Sequence, residues 1–97
     1  MLHLIFQASI DDSILQRIES GDNIVFHGNA VFRLFNDGEL TTIFQTMLAN
    51  AIYFYVVRDE LECRGIAIEE LIPGVNVIGY DGLVELTEKN KVILTWR

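Results

Sequence analysis

The stretch Val75-Asn76-Val77-Ile78-Gly79-Tyr80-Asp81-Gly82-Leu83-Val84-Glu85-Leu86-Thr87 decides the fold. Val75 to Gly79 reads as a strand, Asp81 is placed to cap a helix running to about Asn90, and Lys91 to Trp96 reads as the next strand. A strand, a helix and a strand in succession are the repeating unit of a mostly parallel α/β sheet.

Moving upstream, the same alternation repeats. Ile68 to Ile72 makes a brief turn before Pro73, and Asp59 to Arg64 is a short helix that Gly65 ends. Ala51 to Val57, with Tyr53, Phe54 and Tyr55, is apolar at nearly every position, which is the pattern of a strand covered on both faces. From Glu39 to Asn50, the residues Leu40, Ile43, Phe44, Met47 and Leu48 fall at helical spacing and form one apolar face. Between Gly28 and Asn36 the pattern is weak, and a loop or one short helical turn is expected.

The N-terminal quarter supplies two more strands and a helix. Leu2 to Phe6 is a short apolar run, and Asn23 to His27 is a second one. Ser9 followed by Asp12 resembles a capping box; Ile10, Ile14, Leu15 and Ile18 then recur at helical spacing, and Gly21 is placed to stop that helix. Five strands alternating with helices predict an α/β fold: a small open, mostly parallel five-stranded sheet with helices on both faces, doubly wound, in one domain over residues 1–97.

Composition agrees with this and narrows function. Ninety-seven residues make one core, and 51% hydrophobic against 22% charged residues is globular. Fourteen acidic against seven basic residues give a net charge of −7, with the cations scattered. Phosphate backbones demand clustered cations, so direct nucleic-acid binding is disfavoured. One cysteine excludes an intrachain disulfide, and no apolar run reaches the ~18 residues a membrane span needs. The chain reads as cytoplasmic and not membrane-bound.

In open α/β sheets, ligands bind at the carboxyl ends of the strands. Those ends hold Gln7-Ala8, His27-Gly28-Asn29, Arg58-Asp59 and Tyr80-Asp81-Gly82, with neither G-x-G-x-x-G nor G-K-[ST] among them. No cofactor is implied. A phosphoacceptor domain built on Asp11, Asp12 and Asp59 is outweighed by a plainer reading, in which these carboxylates favour the positive ends of helices. His3 and His27 lie in apolar strands without a second ligand at turn or helical spacing, so hydrogen-bonded structural roles are expected and no metal site. Tyr53, Phe54 and Tyr55 are expected in the core, or with rings on one face reaching a partner.

Cys63 is the one candidate catalytic residue. A sulfur-carrying cysteine needs thiolate character, which Arg64 would favour; Glu62 and the nearby helix C-terminus oppose it. A small, partly buried apolar role is the better reading.

Taken in order, Met1-Leu2-His3, Ser20-Gly21-Asp22, Leu61-x-x-Arg64-Gly65, Ile78-x-Tyr80-x-x-Leu83-Val84-x-Leu86-Thr87 and Thr95-Trp96 resemble the TusB/DsrH family. The resemblance implies a DsrEFH-like fold and a non-catalytic subunit of a cytosolic sulfur-relay complex serving 2-thiolation of the tRNA wobble uridine. It also implies TusC-like and TusD-like partners in a dimer of heterotrimers, with a TusA-like donor, a TusE-like acceptor and the transferring cysteine on the TusD-like chain. DsrH members of sulfur oxidisers often carry a cysteine in the first helix; here Ser13-Ile14-Leu15-Gln16 has none, which favours TusB. The alternatives are a DsrH-type subunit of a sulfur-oxidation complex, or a sulfurtransferase using Cys63. A hydrophobic content of 51% in so small a domain further implies apolar surface that packs against partners.

Overall fold

The structure, a computed structural model, describes residues 1–7, 9–10, 12–36, 38 and 40–97, without the side chain of Asp12. In chain order it contains β1 (Leu2–Ile5), α1 (Asp12–Leu15), β2 (Asn23–Phe26), a 3₁₀ helix (Gly28–Leu34), α2 (Thr41–Ala49) and β3 (Tyr53–Val57). There follow α3 (Arg58–Arg64), a 3₁₀ turn (Ile68–Glu70), β4 (Asn76–Ile78), α4 (Tyr80–Lys89) and β5 (Ile93–Trp96).

The strands form one five-stranded sheet in the order β4-β3-β2-β1-β5, every neighbouring pair parallel. Three connections step outward from β1 to β4, and the fourth carries the chain back across the sheet to β5. The order therefore reverses between β1 and β5.

Side-chain alternation sorts the sheet into two unequal faces. On one, Ile5, Ile24, Phe26, Phe54 and Val56 meet Ile14, Leu34, Phe44 and Leu61 from the helices. Phe26, Phe44 and Phe54 form its centre, with ring centroids 5.1 to 5.6 Å apart in tilted and edge-on arrangements. On the other face Leu2, Val25 and Val57 pack with Leu86, flanked by Leu4, Tyr55, Ile78 and Leu83. Among the described helices only α4 contributes to this second layer.

The doubly wound, parallel architecture is thus as expected, while several local expectations are corrected. Tyr53 is 48% exposed, so β3 is covered on both faces only from Phe54 onward. Ile43 is 43% exposed and leaves the apolar face of α2, which Phe44 anchors with Met47 and Leu48. Where a loop or one short helical turn is expected, a seven-residue 3₁₀ helix forms and buries Ala30, Val31 and Leu34. Asp81 is not the cap of α4: Gly79 is, and Asp81 lies in the first turn, where its charge still favours the helix dipole.

The first helix is a single turn ending at Leu15, so Gly21, at φ +90°, does not cap it but shapes the turn into β2. Its amide donates to the Ala51 carbonyl at 2.8 Å. The expected capping box at Ser9 and Asp12 needs the Asp12 side chain, and the expected α2 start needs Glu39; both lie outside the described residues. Gly65 fulfils its expected role: at φ 66° it ends α3, and the Ile66 amide reaches back to the Leu61 carbonyl at 3.0 Å. No described helix is long and apolar enough to cross a membrane.

Candidate functional site

The reversal between β1 and β5 puts Phe6, Gln7, His27 and Arg97 together at the carboxyl ends of the central strands. The Phe6 and His27 rings stack at 4.6 Å with a 12° interplanar angle, and the Arg97 guanidinium lies 5.5 Å from the Phe6 centroid. The Gln7 amide donates to the Arg97 carbonyl, closing β1 against β5. From α3, Glu60 accepts from the Gly28 amide at 3.0 Å and from Arg64 Nη1 at 2.7 Å.

His27 is buried, 8% exposed, and its Nε2 has no hydrogen-bond partner among the described residues. The expected hydrogen-bonded role is not met at Nε2, and the ring stacks on Phe6. Burial pushes its pKa below 6.5, and the nearby Glu60 carboxylate opposes the shift without reversing it. His27 is held neutral.

His3 does have the expected hydrogen-bonded role. The indole Nε1–H of Trp96 donates to His3 Nδ1 at 3.2 Å, so Nε2 carries the proton and donates to Asp22 Oδ2 at 2.9 Å. Asp22 also accepts from the Glu19 amide at 2.9 Å and pairs with the Met1 ammonium at 3.2 Å. Burial would raise its pKa, but these donors outweigh burial and leave it lowered. The His3–Asp22 pair and the Trp96 indole together tie the start of β2 and β5 to β1.

Cys63 is exposed, which corrects its expected partial burial. It occupies the last turn of α3, at the negative end of the helix dipole. Arg64, the neighbour that could favour a thiolate, directs Nη1 to the Glu60 carboxylate and carbonyl, at 2.7 and 3.2 Å. Exposure gives the thiol access to solvent, while the adjacent guanidinium is engaged with Glu60.

Among the described residues no three His, Cys, Asp or Glu side chains could hold a metal. Of the strand-end residues the sequence singled out, the fold gathers Gln7, His27 and Gly28; Arg58, Asp59, Tyr80, Asp81 and Gly82 belong to the first turns of α3 and α4. Asp22, Glu60 and Phe6 were not anticipated. The Glu60–Arg64 pair was open to detection at its i, i+4 spacing; the other two depend on which strands become neighbours.

The chain matches a family model described as "DsrH like protein" over residues 6–93. It is 28% identical over 99 residues to Protein TusB of Buchnera aphidicola subsp. Baizongia pistaciae (strain Bp), covering 99% of this chain and 100% of that one. It is 31% identical over 85 residues to Protein TusB of Pectobacterium parmentieri, covering 88% and 85%. Among solved structures it is similar to MTH1491, a protein of unknown function from Methanobacterium thermoautotrophicum, with a TM-score of 0.74 at 18% identity over 97% of this chain and 95% of that one. The structural likeness carries the fold, and the sequence matches carry the kinship: the chain belongs to the DsrH-like family, as a TusB/DsrH-type subunit.

Proposed function

We propose that this chain is a non-catalytic structural subunit of a cytoplasmic sulfur-relay complex that serves 2-thiolation of the tRNA wobble uridine. Its partners are TusC-like and TusD-like subunits in a dimer of heterotrimers, between a TusA-like donor and a TusE-like acceptor, and the persulfide forms on a partner's cysteine. The TusB-named relatives favour this over a sulfur-oxidation complex.

The observation that carries the proposal is the chemistry at Cys63. A persulfide carrier must present a thiolate, yet this thiol has the unfavourable end of a helix behind it and an arginine already committed to Glu60. The groups at the strand ends are likewise used internally: Glu60 by Gly28 and Arg64, Gln7 by Arg97, His27 by its stack on Phe6.

The test is reconstitution. Co-expressed with the TusC-like and TusD-like subunits, the chain should appear in one assembly by native mass measurement. In a persulfide-transfer assay on that assembly, Cys63→Ser should leave turnover unchanged. A labelled persulfide trapped on Cys63, with turnover lost in the serine variant, would overturn the proposal.

A further inference from the structure

Two recesses flank the 3₁₀ turn Ile68–Glu70 and share Glu69 between them. The larger, of about 550 Å³, is lined by Phe32, Phe35, Asn36, Gly38, Glu69 and Glu70. The smaller, of about 290 Å³, adjoins Ile66, Ile68, Leu61 and Glu62, with Arg58 and Ala67 completing it. Phe32 is 42% exposed and Ile68 is 53% exposed, so large apolar side chains stand open on this surface.

The walls are held in place by backbone pairing. Phe35 and Leu71 form an antiparallel bridge, the Asn36 amide donates to the Glu70 carbonyl at 3.0 Å, and the Ile72 amide donates to the Leu34 carbonyl at 2.9 Å. The turn is pinned by the Ala67 amide, which donates to Glu70 Oε1 at 3.2 Å. A recess whose walls are fixed in advance loses little entropy when it is filled.

We propose that this surface docks a basic, apolar segment of a partner protein, its apolar side chains entering the recesses on either side of the turn and its lysines or arginines meeting Glu62, Glu69 and Glu70. Charge selects the occupant. Three carboxylates border the apolar surface against one cation, Arg58, among the described lining residues. A second copy of this chain would bring its own net charge of −7 against them. Nucleic acid and anionic lipid are repelled for the same reason. Two adjacent recesses divided by a one-turn ridge suit successive side chains of one segment.

The inference rests on the reading of the chain as a subunit of an assembly, and it names one surface by which the assembly is held. The test compares the chain with the double variant Ile68→Ser, Glu69→Lys, both sites exposed, each folded by circular dichroism and titrated against the purified TusC-like and TusD-like subunits. Wild type should bind one of them, more weakly as salt rises, with hydrogen-exchange protection over residues 32–36 and 66–71. The variant should bind about tenfold or more weakly, as expected for loss of an apolar anchor together with reversal of a bordering charge. Wild-type binding with an unaffected variant, or protection elsewhere only, overturns this inference and leaves the assembly standing. Failure of wild type to bind either subunit overturns both.

Discussion

His3 Nε2 and Asp22 Oδ2 lie 2.9 Å apart inside the sheet, joining the second residue of β1 to the residue just before β2. Trp96 completes the arrangement from β5, so three strands meet on one imidazole. His3 is fully buried, and loss of the Asp22 carboxylate would strand its N–H. Asp22→Ala is expected to cost about 2–3 kcal/mol, as for a buried donor deprived of its partner, measured by urea unfolding. Because the Asp22 pKa is lowered on folding, its contribution is fully present above 3.8 and is lost as pH falls through the folded value below that. The variant should therefore lack part of the acid-unfolding limb of the wild type.

His27 gives the opposite lesson. Its pKa is lowered on folding because charge is disfavoured at a buried site, so the unfolded chain takes up the proton first. Stability is full above 6.5 and declines as pH falls from there through the folded value. His27→Phe keeps a ring against Phe6 and removes the orphaned nitrogen. It is expected to stabilise the fold by about 1 kcal/mol at neutral pH and to flatten the decline below 6.5. A variant as acid-sensitive as the wild type in denaturant titrations would contradict this account.

Ala51 is the only described non-glycine residue at positive φ, at 60°, just past Asn50, the C-cap of α2. Its carbonyl accepts from Gly21, and the Ile52 amide returns to the Met47 carbonyl at 3.2 Å, so the turn is fixed from both sides. Ala51→Gly should relieve the left-handed strain and raise stability by about 0.5–1 kcal/mol, while Ala51→Val should lower it, as thermal melts would report.

Gly82 lies inside α4, where alanine normally gains about 0.5–1 kcal/mol. Here a Cβ would sit 2.9 Å from Ile78 Cβ on β4. Gly82→Ala is expected to cost about 1–3 kcal/mol by overpacking. Paired with Ile78→Gly, which removes that Cβ, it should cost much less than the sum of the two single changes; additive losses in that double-mutant cycle would show that the contact is not the cause.

The features legible in the sequence are those set by local pattern. Alternating strand and helix, the glycine stop at Gly65 and the apolar run of β3 are readable because neighbours in sequence determine them. Ile43 was misread because a 3.6-residue period marks a stripe but not its width, and the sheet buries only the part around Phe44. Tyr53 was misread because a continuous apolar run does not reveal that its first strand residue is left exposed. The stack of His27 on Phe6 and the His3–Asp22–Trp96 brace follow from strand order, which local pattern does not encode. The exposure of Cys63 could not be read either, since a small residue fits a core or a helix surface equally well.

The pairing of β1 with β5 joins residues about ninety positions apart, from Leu2 opposite Ile93 to Ile5 opposite Trp96. Until β5 pairs with it, β1 is an edge strand of the sheet. Throughout that interval the His3 imidazole waits without its indole donor, and β1 offers an unpaired backbone to any nearby chain. The form that lacks the β1–β5 pairing is therefore the one most open to misassembly, and a holding chaperone would have most to protect there.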